Sequence, residues 1–141
     1  MIRKLWRKIS EGFRERFRGQ GDIGRQGEKL AAAYLIDKGY RILERNLTSR
    51  HGELDLVATT ADQQTLVFVE VKTSLQVNAY HLPEFRVNQH KQRQIVSLAA
   101  YWCRSAKLKH LSVRFDVIGV NLPPNAKPII RHIQGAFNSY V

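Results

Sequence analysis

Polar and apolar positions alternate from His51 to Ala58, and a turn-like stretch from Thr59 to Gln64 separates them from Thr65 to Lys72, a run rich in branched residues. Both runs carry the period of a β-strand, in which every second side chain shares a face. Glu53, Asp55 and Val57 then point one way, and Leu54, Leu56 and Ala58 the other. On the second strand Phe68, Glu70 and Lys72 lie opposite Val67, Val69 and Val71. An antiparallel hairpin with a symmetric loop around Asp62 and Gln63 sets Asp55 across from Glu70 and Glu53 across from Lys72. Directly opposed side chains have Cβ atoms roughly 4.5–5.5 Å apart, and like charges there destabilise a sheet unless a cation lies between them. A divalent metal held by one or two carboxylates, water and phosphate oxygens meets that need.

The same reading extends along the chain. Ile2, Leu5, Trp6, Ile9, Phe13 and Phe17 fall at helical spacing among Arg and Lys, which predicts a basic amphipathic helix over residues 1–20. Its role is open between packing on this chain or a partner, an arm on nucleic acid, and, least favoured, membrane contact by residues 1–18. Asp22 can cap a helix from about Ile23 to Lys38, stopped by Gly39, with Glu28 one turn from Ala31, Ala32 and Leu35. A charge beside that small apolar face needs a partner, unless it is only a helix-start acid favoured by the macrodipole. Gly39 to Asn46 reads as the first strand, and Leu75 to Pro83 as a loop able to approach substrate. Asn88 is a good N-cap for a helix to about Ser105, whose buried face holds Ile95, Val96, Leu98, Ala99, Tyr101, Trp102 and Cys103. Lys91, Arg93 and Gln94 occupy its first turns, where phosphate contact and plain solvated surface are evenly weighed. Leu111 to Val120 and Pro128 to Ile133 are two further strands about a Pro123-Pro124 turn. Asp116, among apolar residues, reads first as a structural partner of Arg114 or another base.

Charge narrows the function classes. Lys and Arg number 23 against 12 Asp and Glu, a net of +11 over 141 residues. A small basic chain of this kind meets a polyanion, most often nucleic acid. Residues 1–20 carry 7 basic and 2 acidic side chains, so the rest stays basic while holding the acidic hairpin. A single cysteine, Cys103, excludes an intrachain disulfide and predicts a reducing compartment. No apolar run reaches the roughly 20 residues of a membrane span, and no secretory signal is visible, so a cytoplasmic location is expected. The five His show no metal-ligand spacing, and no phosphate-binding Gly loop or serine-hydrolase context appears.

Asp55 on one strand and Glu70-Val-Lys72 on the next resemble the PD-(D/E)xK signature of restriction-endonuclease-like nucleases. Gly27-Glu28, His51 to Asp55, Phe68 to Lys72, Lys91 to Gln94, Arg114 to Val117 and Ala136-Phe137 follow in one order. Together they resemble the YraN-like family of predicted endonucleases (uncharacterised protein family 0102), related to archaeal Holliday-junction resolvases. The chain lacks a Pro before Asp55 and has Thr73-Ser74 where relatives often carry an arginine two residues beyond the lysine. The resemblance implies an α/β, restriction-endonuclease-like fold with a mixed central sheet flanked by helices, residues 21–141 forming the nuclease-like domain behind the N-terminal helix. It implies Mg²⁺ or Mn²⁺ on Asp55, Glu70 and Glu28, with the Val71 carbonyl as a further ligand. Lys72 would orient the attacking water or steady the charge of the transition state, leaving a 5′-phosphate and a 3′-hydroxyl. Arg50, Lys91, Arg93 and Gln94 are the expected nucleic-acid contacts, and Glu53 and Asp116 the secondary site candidates. The expected partner is double-stranded or branched DNA, with a two-fold homodimer by analogy to resolvases. The competing expectation is a nucleic-acid-binding protein that keeps the fold without cleaving.

Overall fold

The computed structural model describes residues 22–75, 87–108, 111–124 and 126–139. The helix expected over residues 1–20 and nearly all of the Leu75 to Pro83 loop lie outside them. Helix α1 spans Asp22–Asp37. Gly39 stops it with a φ of 91°. The Tyr40 amide donates to the Leu35 carbonyl at 2.9 Å and the Gly39 amide to that of Ile36 at 3.0 Å. This double closure needs a left-handed residue, which glycine supplies without a Cβ clash. Strands β1 (Arg41–Ser49), β2 (Gly52–Thr59) and β3 (Thr65–Ser74) follow, then helix α2 (Gln89–Ala106), β4 (Ser112–Asn121) and β5 (Ile129–Phe137).

The five strands lie side by side in chain order. Strands β1, β2 and β3 form an antiparallel meander, and β4 pairs with β5 the same way. Only β3 and β4 run parallel, with α2 as the crossover that a parallel connection requires. This is the mixed α/β architecture expected, a mixed sheet flanked by helices in keeping with a restriction-endonuclease-like fold. Helix α2 packs on one sheet face through Ile95, Leu98, Ala99 and Trp102, against Leu66, Phe68 and Phe115. Helix α1 packs on the other through Ala31, Ala32 and Leu35, against Val67, Val69, Val71 and Ile118. Strand β3 is thus covered on both sides, which accounts for its nearly unbroken run of branched apolar residues.

Two strands outrun their sequence patterns. Strand β1 continues to Ser49, pairing with Gly52, with Asn46 at a φ of 52° within it, a left-handed conformation that Asn tolerates better than most residues. Strand β5 continues to Phe137, which stacks on Phe115 at 5.2 Å between ring centroids. The Leu54–Leu56 alternation also fails: Leu54 joins the α2-side core and Leu56 the α1-side core. Pairs Leu47↔Leu54 and Arg45↔Leu56 bracket Asn46 and Asp55, so the left-handed residue stands opposite the irregularity in β2.

Candidate active site

The hairpin register is the one its pattern requires. Leu56 faces Val69, Val57 faces Phe68, Ala58 faces Val67 and Thr59 faces Leu66. Continued by one step, this register brings Asp55 to Glu70, but regular pairing ends at Leu56 and Val69. There the Asp55 carboxylate takes the place of a main-chain acceptor: its Oδ2 accepts the Val71 amide at 2.7 Å. The two strands part at this point, and an acidic side chain fills the fork. A carboxylate receiving a main-chain N–H is a strong, fixed hydrogen bond.

Asp55 and Glu70 are both buried, with 7% and 6% of their surface exposed. Burial pushes the Glu70 carboxyl up to about 9, and Asp55 adds to this by its charge and by a shared hydrogen bond; Lys91 and Lys72 oppose the shift. At neutral pH Glu70 therefore retains its proton. The Oε2 of Glu70 is buried and has no hydrogen-bond partner. The Lys91 ammonium stands 3.5 Å from that oxygen. It is close enough for Coulomb attraction, but it gives its hydrogen bond to the Glu53 carbonyl at 3.0 Å. The pair offers oxygen donors of which one is left without a hydrogen bond, and a small hard cation with oxygen ligands fits that donor set.

Glu28 approaches from the other layer. It lines a cavity of about 180 Å³ with Arg25, Arg45, Asn46 and Asp55. Gly27 makes that approach possible, since any Cβ on it would overlap the Thr73 side chain just beyond Lys72. Glu28 thereby shares a cavity with Asp55, but among the described residues no three His, Cys, Asp or Glu side chains form a ready-made metal cage. The close group is the carboxyl pair, with the lysines beside it.

The other candidates separate clearly. Lys72 is half-buried two residues beyond Glu70 on the same strand. Lys91 is drawn into the acidic site by Glu70 and the Glu53 carbonyl, a placement that strand and helix patterns do not reveal. The signal available was a lysine at the third position of a helix without acidic residues in its first turn. Its amide is held at 2.9 Å by the Asn88 cap. Arg93 lies at the surface, bonded to Gln89 at 3.3 Å. Gln94 covers Gly52, whose φ of 127° and nearness to the Gln94 Cβ both favour glycine at that turn. Arg50 is exposed beside His51, whose ring leans on Tyr101 of α2 at 5.1 Å.

Asp116 stands apart. It is registered with Val69 and so lies on the opposite face from Glu70. Arg114 grips it with two bonds of 2.8 Å, His132 contacts it at 2.7 Å, and the Gly135 amide donates at 3.0 Å. Burial alone would raise its pKa, but His132, Arg114 and the Gly135 amide hold it below the usual carboxylate range. Its geometry is that of a satisfied structural clasp between β4 and β5. Cys103 is half-buried, and burial pushes its thiol up to about 11, so it is a weak nucleophile.

Comparison with known proteins gives this arrangement a family. The model of the uncharacterised protein family UPF0102 matches residues 27–120, from the glycine against Thr73 through most of β4. The chain belongs to family UPF0102. A UPF0102 protein of Trichlorobacter lovleyi is 46% identical over 121 residues, covering 86% of this chain and 94% of its own. UPF0102 proteins of Caldanaerobacter subterraneus and Geobacter sulfurreducens are each 44% identical, covering 82% of this chain and 93% and 88% of their own. Among solved structures, Pyrococcus furiosus SfsA in complex with Ca²⁺ aligns at 16% identity with a TM-score of 0.36, over 77% of this chain and 61% of that one. The chain thus spans less than two thirds of that neighbour. The UPF0102 names state no activity. No helix among the described residues is long and apolar enough to cross a membrane.

Proposed function

We propose that this UPF0102 protein is a metal-dependent endonuclease that hydrolyses phosphodiester bonds of DNA, including branched or repair and recombination intermediates. The observation that carries the reading is the buried Asp55–Glu70 pair, whose unsatisfied oxygen faces a lysine in an otherwise basic chain. Two carboxyls brought together in an interior repel when both are ionised, and perturbed carboxyls of this kind cluster at functional sites.

Asp55 and Glu70 would hold Mg²⁺ or Mn²⁺, with Glu28 reaching the same cation through water across the shared cavity. When bound, the ion lowers the pKa of its water and withdraws charge from the scissile phosphate. The Val71 amide fixes the Asp55 carboxylate, so this ligand is oriented before substrate arrives. Lys72 stands on the Glu70 side of the strand, where it can orient the nucleophile and oppose the charge that grows on phosphorus. Arg50, Arg93 and Gln94 lie on the α2 side and at its β1–β2 turn, a surface suited to the DNA backbone. Two such chains related by a two-fold axis would present paired sites to a branched substrate.

Mn²⁺ titration of the wild type and of Glu70→Ala, together with incubation of the wild type and Lys72→Ala with linear, nicked, flapped and four-way DNA, tests the proposal. It expects metal binding lost with Glu70 and cleavage lowered at least ~100-fold without Lys72. Absence of cutting on every substrate with either metal would sink the nuclease reading. If DNA binding persisted in that case, the non-catalytic alternative would take its place.

A further inference from the structure

The position of Lys91 has no counterpart in the strand signature, and it carries a consequence for how the site is loaded. Its ammonium stands 3.5 Å from Glu70 Oε2, the buried oxygen without a hydrogen bond. It is also a cation in the first turn of α2, where the helix dipole opposes positive charge and no acidic side chain offsets it. What holds it there is the acidic pair and the Glu53 carbonyl. The Asn88 cap fixes the main chain of Lys91, so its flexible stem can swing while its root stays in place.

We propose that Lys91 is a resident counter-ion of the Asp55–Glu70 pair, displaced when the divalent metal binds and then turned toward a DNA phosphate. The inference rests on the metal reading given above. A metal ion takes its carboxylate oxygen at about 2.0–2.1 Å, so an ammonium about 3.5 Å from that same oxygen would face a double positive charge at close range. The two cations compete for one site. Once released, the ammonium projects from a helix N-terminus whose dipole and lack of acidic side chains in the first turn favour an anion. Metal loading and DNA capture are then linked through one side chain: the empty site neutralises itself, and the filled site frees a phosphate contact.

Mn²⁺ binding to the full chain, followed calorimetrically without DNA, tests this in wild type, Lys91→Met, Lys91→Arg and Glu70→Gln. Lys91→Met should bind Mn²⁺ at least tenfold more tightly than wild type, and Lys91→Arg, which keeps a cation, within about threefold of it. A purely structural ion pair would lower the stability of Lys91→Met without tightening the metal. Equal or weaker Mn²⁺ binding by a folded Lys91→Met therefore overturns the proposal. Should that variant not fold, Lys91→Gln is read by the same criterion. Binding by wild type and its loss in Glu70→Gln uphold the metal reading whatever Lys91 does. If neither wild type nor Lys91→Met binds, both proposals fall. In a second arm, Ca²⁺ replaces Mg²⁺ to hold cleavage off, and duplex binding is measured with and without it. Ca²⁺ should tighten duplex binding by the wild type severalfold more than by Lys91→Met, and an equal gain in both overturns the release of Lys91 to phosphate.

Discussion

Replacing Glu70 by Gln should stabilise the metal-free protein at alkaline pH, although it alters the centre of the proposed site. The reason lies in the Glu70 carboxyl, lifted from 4.5 to about 9 first by burial and then by Asp55. Below pH 4.5 folded and unfolded chains both hold the proton. Between 4.5 and 9 only the folded chain does, so stability falls with every unit of rising pH, by about 1.4 kcal/mol for one fully shifted group. Near pH 8 that would approach ~5 kcal/mol. Asp55 contributes to the shift, so part of that cost belongs to the interaction of the two carboxyls, and about 2 kcal/mol is the smaller advantage required of the variant. Gln keeps the shape and an N–H that can donate to Asp55, while removing the charge. Urea unfolding in EDTA at pH 5, 6.5 and 8 measures the difference, which should be small at pH 5 and widen toward pH 8. Parallel pH profiles, or a wild type that is the more stable protein at pH 8, would refute the reasoning. Adding Mn²⁺ should narrow the gap, since a ligand at 100 times its Kd adds about 2.7 kcal/mol to the chain that binds it and nothing to one that does not.

Other perturbations test the surrounding frame. Gly27→Ala should cost about 1–3 kcal/mol in thermal or urea unfolding, because the new methyl meets Thr73, and Thr73→Ala in the same chain should restore part of the loss. Asn88→Ala should remove about 1 kcal/mol by freeing the Lys91 amide, measured by the same unfolding curves. Asp116→Ala should destabilise by about 3–5 kcal/mol, since it leaves Arg114 without its buried partner. Because Asp116 has a depressed pKa, its contribution is present above the ordinary carboxylate range and lost as pH falls through the folded value. Acid unfolding of the wild type should accordingly steepen below pH 4, and Asp116→Asn should flatten it.

The hairpin was legible because one face of it is charged and the other is not. The symmetric turn, with Asp62 accepting from Thr60 and the Gln64 amide, fixes a register that the positions of Asp55 and Glu70 already imply. Helix bounds were equally readable, since Gly39 and Asn88 perform local chemistry that needs no tertiary knowledge. What alternation concealed was its own failure at Leu54 and Leu56, which stand beside a left-handed Asn46 on the neighbouring strand. Lys91 could be named as a basic residue near substrate, but its contact with Glu53 spans 38 positions and depends on where α2 lands. Asp116 reads first as a structural partner of Arg114, and the clasp bears that out, but the contribution of His132, 16 residues along the chain, was not visible in the sequence.

The amide of Val71 is tied to a side chain, whereas the amides of an inner strand usually answer to the next strand's main chain. Its exchange with deuterium would therefore report on the orientation of one carboxylate, even while the rest of β3 stays closed. Ligands that pull Asp55 outward would unmask this single proton, making it a native probe of the fork between β2 and β3.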